Sequence, residues 1–164
     1  MPAEATGRDA VAAALGALRG RVGEELGTTA WESHDLAAIR AYGALTGEDL
    51  WIHTDAERAA ASRFGAPLVQ ASLLMARFGA WIRAVGAWLP EPAVPLNYGY
   101  DKVRILGALK AGEPVRGRVV LQGLRDAPGP MVRLHLGVSA ERESGGRPVI
   151  AAEWIVAFLL DAAE

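Results

Sequence analysis

In the run Thr46-Gly47-Glu48-Asp49-Leu50-Trp51-Ile52-His53, two carboxylates stand close to a histidine. A carboxylate paired with a histidine can hold one water molecule and move its protons, which is the chemistry needed to add water reversibly to a conjugated double bond. The same residue types also suit a solvated acidic loop followed by a structural histidine. Ser72 could be imagined as a nucleophile, but no histidine lies beside it in sequence, and a serine inside a packed helix is ordinarily a small space-filler. Asn97 and Tyr98 sit where the chain enters a strand and suit either a hydrogen bond to a ligand or the fixing of a loop. His34 and His135 read as surface histidines, and no cluster has metal-ligand spacing, so no metal is expected.

These groups need elements to hold them, and the dominant one is the stretch from Pro67 to Leu89. Its only clearly polar side chains are Gln70, Ser72, Arg77 and Arg83, so a helix there is apolar almost all round and must be buried. At about 1.5 Å per residue it would be roughly 34 Å long. Arg77 and Arg83 near its middle argue against a bilayer span. Pro90, Pro92 and Pro95 then make an extended connector. Four strand-like runs follow, about Tyr98–Leu106, Val115–Arg125, Met131–Glu141 and Val149–Leu160, with turn residues between them.

In the second run Val115, Gly117, Val119 and Leu121 fall on one face; in the third, Val132, Leu134, Leu136 and Val138 do so. The fourth is apolar on both faces, which predicts cover on both, from an N-terminal helix or a partner subunit. Ahead of the long helix, Asp9 to Leu18 reads as an alanine-rich accessory helix with Asp9 at its cap and Gly20 as its stop. Thr28–Ser33 reads as a first strand. Asp35 opens a helix striped by Leu36, Ile39, Tyr42 and Leu45 and ended by Gly47, and Asp55 caps a short helix to Ser62. The fold class is α+β: a long central helix wrapped by a curled antiparallel sheet of about five strands, the hot-dog architecture.

The totals narrow the function. The chain has 164 residues, 51% hydrophobic and 22% charged, which suits one globular domain. We divide it into a helical extension over 1–21 and the main domain over 22–164. A net charge of −2 and a pI near 5.9 carry no global basic field, so neither nucleic acid nor an anionic membrane is expected as a partner. Cysteine is absent, which removes disulfides, zinc thiolates and cysteine nucleophiles. Met1 to Asp9 has no long apolar region, so no signal peptide is expected and the expected compartment is the cytoplasm.

Val22-Gly23 with Glu25 and Gly27, then Trp31, Thr46-Gly47, Trp51-Ile52-His53, Asp55 and Arg58-Ala59, together with Asn97-Tyr98-Gly99 and Lys102-Val103-Arg104, resemble the MaoC-like hydratases, the (R)-specific enoyl-CoA hydratases and their NodN-like relatives. The resemblance spans about Val22 to Leu160. It implies a hot-dog fold, a homodimer, and an acyl thioester substrate carried on coenzyme A or a carrier protein. The coenzyme A or phosphopantetheine arm is then part of the substrate, and no separate cofactor is implied. In that family an Asp after the Thr-Gly pair and a His five positions beyond it activate water. A His-Gly pair at the start of the central helix supplies a backbone N–H that polarises the thioester carbonyl, as a donor at a helix N-terminus can.

Carried over by position, His53 matches the catalytic His, and Glu48 occupies the Asp position with Asp49 one place out of register. Glu48 keeps the charge but moves it by about one methylene, a displacement that matters where about 1 Å can cost a hundredfold. The His-Gly pair is Gln70-Ala71 here: Ala71 keeps its N–H, and Gln70 does not titrate near neutral pH but can donate through its amide. The expected catalytic residues are Glu48 and His53, with Gln70, Ala71, Ser72, Asn97 and Tyr98 expected to bind substrate or its oxyanion. Asp49, Trp51 and Arg104 are weaker candidates. Lys102, Arg104, Arg116 and Arg118 suit either carrier phosphates or a solvated face. The expected function is a hydratase or dehydratase with an altered site. The alternatives are a polyketide-type dehydratase, isomerase or cyclase, a non-catalytic thioester-binding subunit of a heterodimer with a homologue, and, behind these, a hot-dog thioesterase.

Overall fold

The computed structural model describes residues 7–160, so residues 1–6 of the predicted extension and 161–164 of the predicted main domain lie outside the described residues. The elements run α1 (Gly7–Arg19), β1 (Glu25–Thr28), α2 (Leu36–Thr46), α3 (Trp51–Thr54), α4 (Ala56–Ala60), α5 (Ala71–Ala76), α6 (Phe78–Ala84), β2 (Val94–Ile105), β3 (Val115–Ala127), β4 (Met131–Arg142) and β5 (Ile150–Leu159). The five strands form one antiparallel sheet in the order β1-β3-β4-β5-β2. Register shifts interrupt the β1–β3, β3–β4 and β2–β5 ladders, and such bulges bend strands and let a sheet curl. Helices α5 and α6 lie in the curl, which is the hot-dog arrangement.

The sheet's inner face follows the alternation of the sequence. Val115, Gly117, Val119 and Leu121 of β3 and Val132, Leu134, Leu136 and Val138 of β4 are buried, against Phe78, Trp81 and Ile82 of α6. Each large side chain removed from water contributes about 1.5–3 kcal/mol. In β5, Ile150, Ala152, Trp154, Val156 and Phe158 face inward and Ala157 is buried as well. Helix α1 adds Val11 and Leu18 to the same core, and its Val11, Ala12 and Leu15 border a cleft with Pro130 and Leu160 at the end of β5.

The central helix is shorter than the apolar run predicts. Pro67–Gln70 is extended: the Val69 N–H donates to Leu109 O, and Leu68 pairs with Lys110. The helix starts at Ala71, tightens at Arg77, whose N–H reaches back only to Leu74 O at 3.1 Å, and ends at Ala84. From Ala71 to Ala84 that is about 21 Å at ~1.5 Å per residue. Gly86, with φ of +75°, reverses the chain, and the Ala87 N–H closes onto Ile82 O at 2.9 Å in a Schellman-type end. The run from Ala87 to Leu89 is apolar because it is buried, not because it is helical.

Four smaller expectations also need correction. The first strand is Glu25–Thr28, and Glu32 makes only an isolated bridge to Val115. Asp9 lies inside the first turn of α1 instead of capping it. In α2, Asp35 accepts from the Ala38 N–H as expected, and Gly47 ends the helix with φ of +77°, but Leu45 is 84% exposed, so the apolar stripe stops at Tyr42. The single turn α3, around His53, was not anticipated, and the helix capped by Asp55 ends at Ala60.

Two contacts seat the helix. Gly117 has no side chain where the Trp81 indole lies against β3, and a Cβ built there would overlap the ring. Glu32 then ties the helix to the bridge beside β3. Arg77 donates to both its carboxylate oxygens at 3.0 and 2.9 Å, and Trp81 Nε1 donates to Oε1 at 3.1 Å. Burial pushes the Glu32 carboxyl up, but Arg77 and Trp81 outweigh it and hold it below the ordinary carboxylate range. His34, whose Nε2 stands 3.6 Å from Glu32 Oε1, is pushed below its ordinary value chiefly by burial, against the pull of Glu32.

Gly117→Ala is expected to lower stability by about 1–3 kcal/mol, read as a fall in the urea midpoint, because the fully buried indole has nowhere to move. The Glu32 clamp sets an acid dependence. With folded pKa values depressed at Glu32 and His34, the unfolded chain binds protons first as pH falls, so their contribution is present at neutral pH and declines through the histidine and then the carboxylate range. Glu32→Gln is expected to flatten the carboxylate limb of a stability–pH profile measured by urea denaturation.

Candidate active site

His53 is placed by two bonds between α3 and the extended segment ahead of α5. The Leu68 N–H donates to Ile52 O at 2.8 Å, and His53 Nδ1 lies 2.7 Å from Leu68 O. A carbonyl oxygen can only accept, so Nδ1 carries the proton and donates in the neutral ring, leaving Nε2 with its lone pair as a proton acceptor. His53 as a whole is buried, and this bond fixes the orientation of its ring.

Glu48 is placed from the other side. It follows Gly47, and Gln70 Nε2 donates to Glu48 O at 3.2 Å and to Ile39 O at 2.9 Å. The close approach depends on Gly43 in α2, where a Cβ would stand 2.9 Å from Glu48 O and 3.3 Å from Gln70 Nε2. The Glu48 carboxylate accepts a hydrogen bond at Oε2 from Ser72 Oγ.

Glu48, His53 and Ala71 line one cavity of about 430 Å³, walled by Leu68, Leu74, Leu109, Val149 and the turn at Leu106 and Gly107. Ala71 is the first residue of α5, so its N–H has no partner within the helix. A carboxylate, a histidine and the first residue of a helix therefore border the same space. Among the described residues no group of His, Asp and Glu has the arrangement of a metal site.

The other sequence-derived candidates stand elsewhere. Gln70 is fully buried with both amide donations spent on backbone, and its Oε1 has no partner. Asn97 Oδ1 accepts from Trp154 Nε1 at 2.9 Å, and its Nδ2 donates to the Tyr100 hydroxyl at 3.2 Å. It borders a second cavity of about 260 Å³ lined by Met75, Gly79, Trp88, Tyr100 and Trp154. Tyr98 is exposed, with the Arg133 guanidinium 3.9 Å from its ring centroid. Arg104 is exposed and donates to Val103 O, next to Ile105 on the cavity wall. Asp49 is exposed, with its carbonyl accepting from Thr54 Oγ1, and Trp51 packs under Arg58 at 4.3 Å. Lys102 pairs with Glu153, Arg116 with Glu141, and Arg118 with Glu25 and Glu141, so three of the four basic candidates are already partnered.

Sequence reading missed Gly43, the Leu68 carbonyl and the wall from Ile105 to Leu109. Gly43 had a signal, since a glycine within a helical pattern marks a close approach; the others come from pairing distant segments.

Nodulation protein N of Rhizobium meliloti (strain 1021) is 33% identical to this chain over 135 residues, 82% of this chain and 84% of the relative. The 3-hydroxyacyl-thioester dehydratase Z of Mycobacterium tuberculosis (strain ATCC 25618 / H37Rv) is 28% identical over 142 residues, 87% and 93% of the two chains. The unliganded R-hydratase PhaJ1 from Pseudomonas aeruginosa superposes with a TM-score of 0.64 at 21% identity, covering 82% of this chain and 79% of that one, a likeness that bears on the fold. The MaoC like domain matches residues 17–140, and with that match and the similarity to nodulation protein N the chain belongs to the MaoC-like dehydratase family.

Proposed function

We propose that this protein adds water to an enoyl thioester, or removes it from a 3-hydroxyacyl thioester, with the acyl group on coenzyme A or a carrier protein. The observation that carries this reading is the single cavity bordered by Glu48, the His53 ring and the start of α5 at Ala71. Its similarity to a 3-hydroxyacyl-thioester dehydratase supports the substrate class. A water held by Glu48 and His53 Nε2 attacks C3 of the conjugated thioester. One proton of the water passes to this pair as the C3–O bond forms, and a proton from the pair goes to C2. Negative charge builds on the thioester oxygen between these events, and the donor we assign to it is the Ala71 N–H. Dehydration runs the same steps backwards. The reaction needs no resident cofactor, since the pantetheine arm arrives with the substrate.

The working unit we propose is a homodimer. β2 is an edge strand, and along it Val94, Leu96, Tyr98 and Ile105 are exposed. An apolar unpaired edge is a template for pairing with a second copy, or with a homologue in a heterodimer.

Hydration of crotonyl-CoA, followed by loss of the conjugated thioester absorbance, is expected for the wild type, and His53→Ala is expected to lower kcat by about 10²–10⁴-fold. A folded wild type with no turnover would remove crotonyl-CoA as a substrate. Leu96→Asp with Tyr98→Lys is expected to convert a dimer into a monomer by light scattering after gel filtration; a monomeric wild type would refute the β2 interface.

A further inference from the structure

The segment from Leu68 to Ser72 orients both proton-moving groups at once. Leu68 O takes the His53 Nδ1 proton, Gln70 Nε2 holds the Glu48 carbonyl, and Ser72 Oγ donates to the Glu48 carboxylate. A helical serine commonly bonds back to the carbonyl four residues earlier. For Ser72 that is Leu68 O, which lies in the extended segment and accepts from His53, whereas the hydroxyl of Ser72 is committed to Glu48. A glutamate carries one more rotatable bond than an aspartate, so a carboxylate at the end of Glu48 has freedom that a catalytic acid must lose.

From this contact we infer that Ser72 is a positioning residue for Glu48. Its hydroxyl pins Oε2 and leaves Oε1 to meet the water beside His53. The inference rests on the hydratase reading above and names what makes glutamate workable at that position. Glutamate and serine act as a matched pair: an aspartate at position 48 stops about one methylene short and loses the serine. Ser72 touches no reacting atom, so its effect falls on the rate of the chemical step and leaves substrate binding alone.

The test compares wild type, Ser72→Ala, Ser72→Thr, Ser72→Val, Glu48→Asp and the double variant Glu48→Asp/Ser72→Ala in crotonyl-CoA hydration, with thermal unfolding measured alongside. Ser72→Ala should lower kcat about ten- to hundredfold with KM within about twofold and the melting temperature unchanged. Threonine, which keeps the hydroxyl, should retain most of kcat, and valine, of the same shape without it, should behave as alanine does; this pair reads the contact even if alanine disturbs the fold. Glu48→Asp should lower kcat, and removing Ser72 from that variant should cost no more than about a further twofold, because the contact is already gone. Ser72→Ala or Ser72→Val with wild-type kcat, or losses that multiply in the double variant, would overturn the inference while leaving the hydratase reading in place. A folded wild type that turns over neither crotonyl-CoA nor (R)-3-hydroxybutyryl-CoA would overturn the reading and the role of Ser72 together.

Discussion

The Trp81 indole lies on β3 where Gly117 offers no side chain, and the placing of the central helix follows from that contact. Once the ring is seated, Phe78 meets it at 5.5 Å between centroids and reaches Trp154 of β5 at 5.9 Å, so the helix is gripped from both sides of the curl. Arg77 and Trp81 then meet Glu32, which brings the chain ahead of α2 to the same place. The half-buried Glu32 charge is tolerable there because both of its oxygens are bonded, and Arg77 supplies two parallel N–H donors. The rotation and depth of the helix are thus set near its C-terminal half.

Its N-terminal end borders the cavity that Glu48 and His53 line. With the helix held in the sheet, the extended residues before it run beside α3, and every second residue from there into the helix makes a contact: Leu68 meets the histidine, Gln70 the Glu48 backbone, Ser72 the Glu48 carboxylate. All three contacts join parts of the chain well apart in sequence, and Gly43 supplies the clearance on which one of them depends. Side chains held this way have little orientation freedom left to lose on binding a ligand.

Much of the architecture was legible because burial leaves a period in sequence. The alternation in β3 and β4 is the alternation of their inner face, and Asp35 with Gly47 bracketed α2 as cap chemistry requires. The central helix was overestimated for an instructive reason: Pro67–Gln70 and Ala87–Leu89 are as apolar as the helix because they share its surroundings, and hydrophobicity reports burial before it reports conformation. Gly86 and Pro67 were the available signs of its limits. Leu45 shows the converse, an apolar residue in register with a buried stripe that the neighbouring elements do not reach.

The chain's own residues determined the layered α+β fold, the inner face of the sheet, and a short segment where acid and histidine occur together, since each follows from residue type and local period. Only the tertiary structure decided which groups share a space. It brought Ala71 and Ser72 to Glu48 and His53, sent Asn97 to Trp154 and Tyr98 to Arg133, and spent the Gln70 amide on backbone. The physical reason is that hydrogen bonds and close contacts are made across the fold at about 3 Å, 15 positions apart in the chain for His53 and Leu68 and 57 for Asn97 and Trp154, and no local pattern encodes such partners.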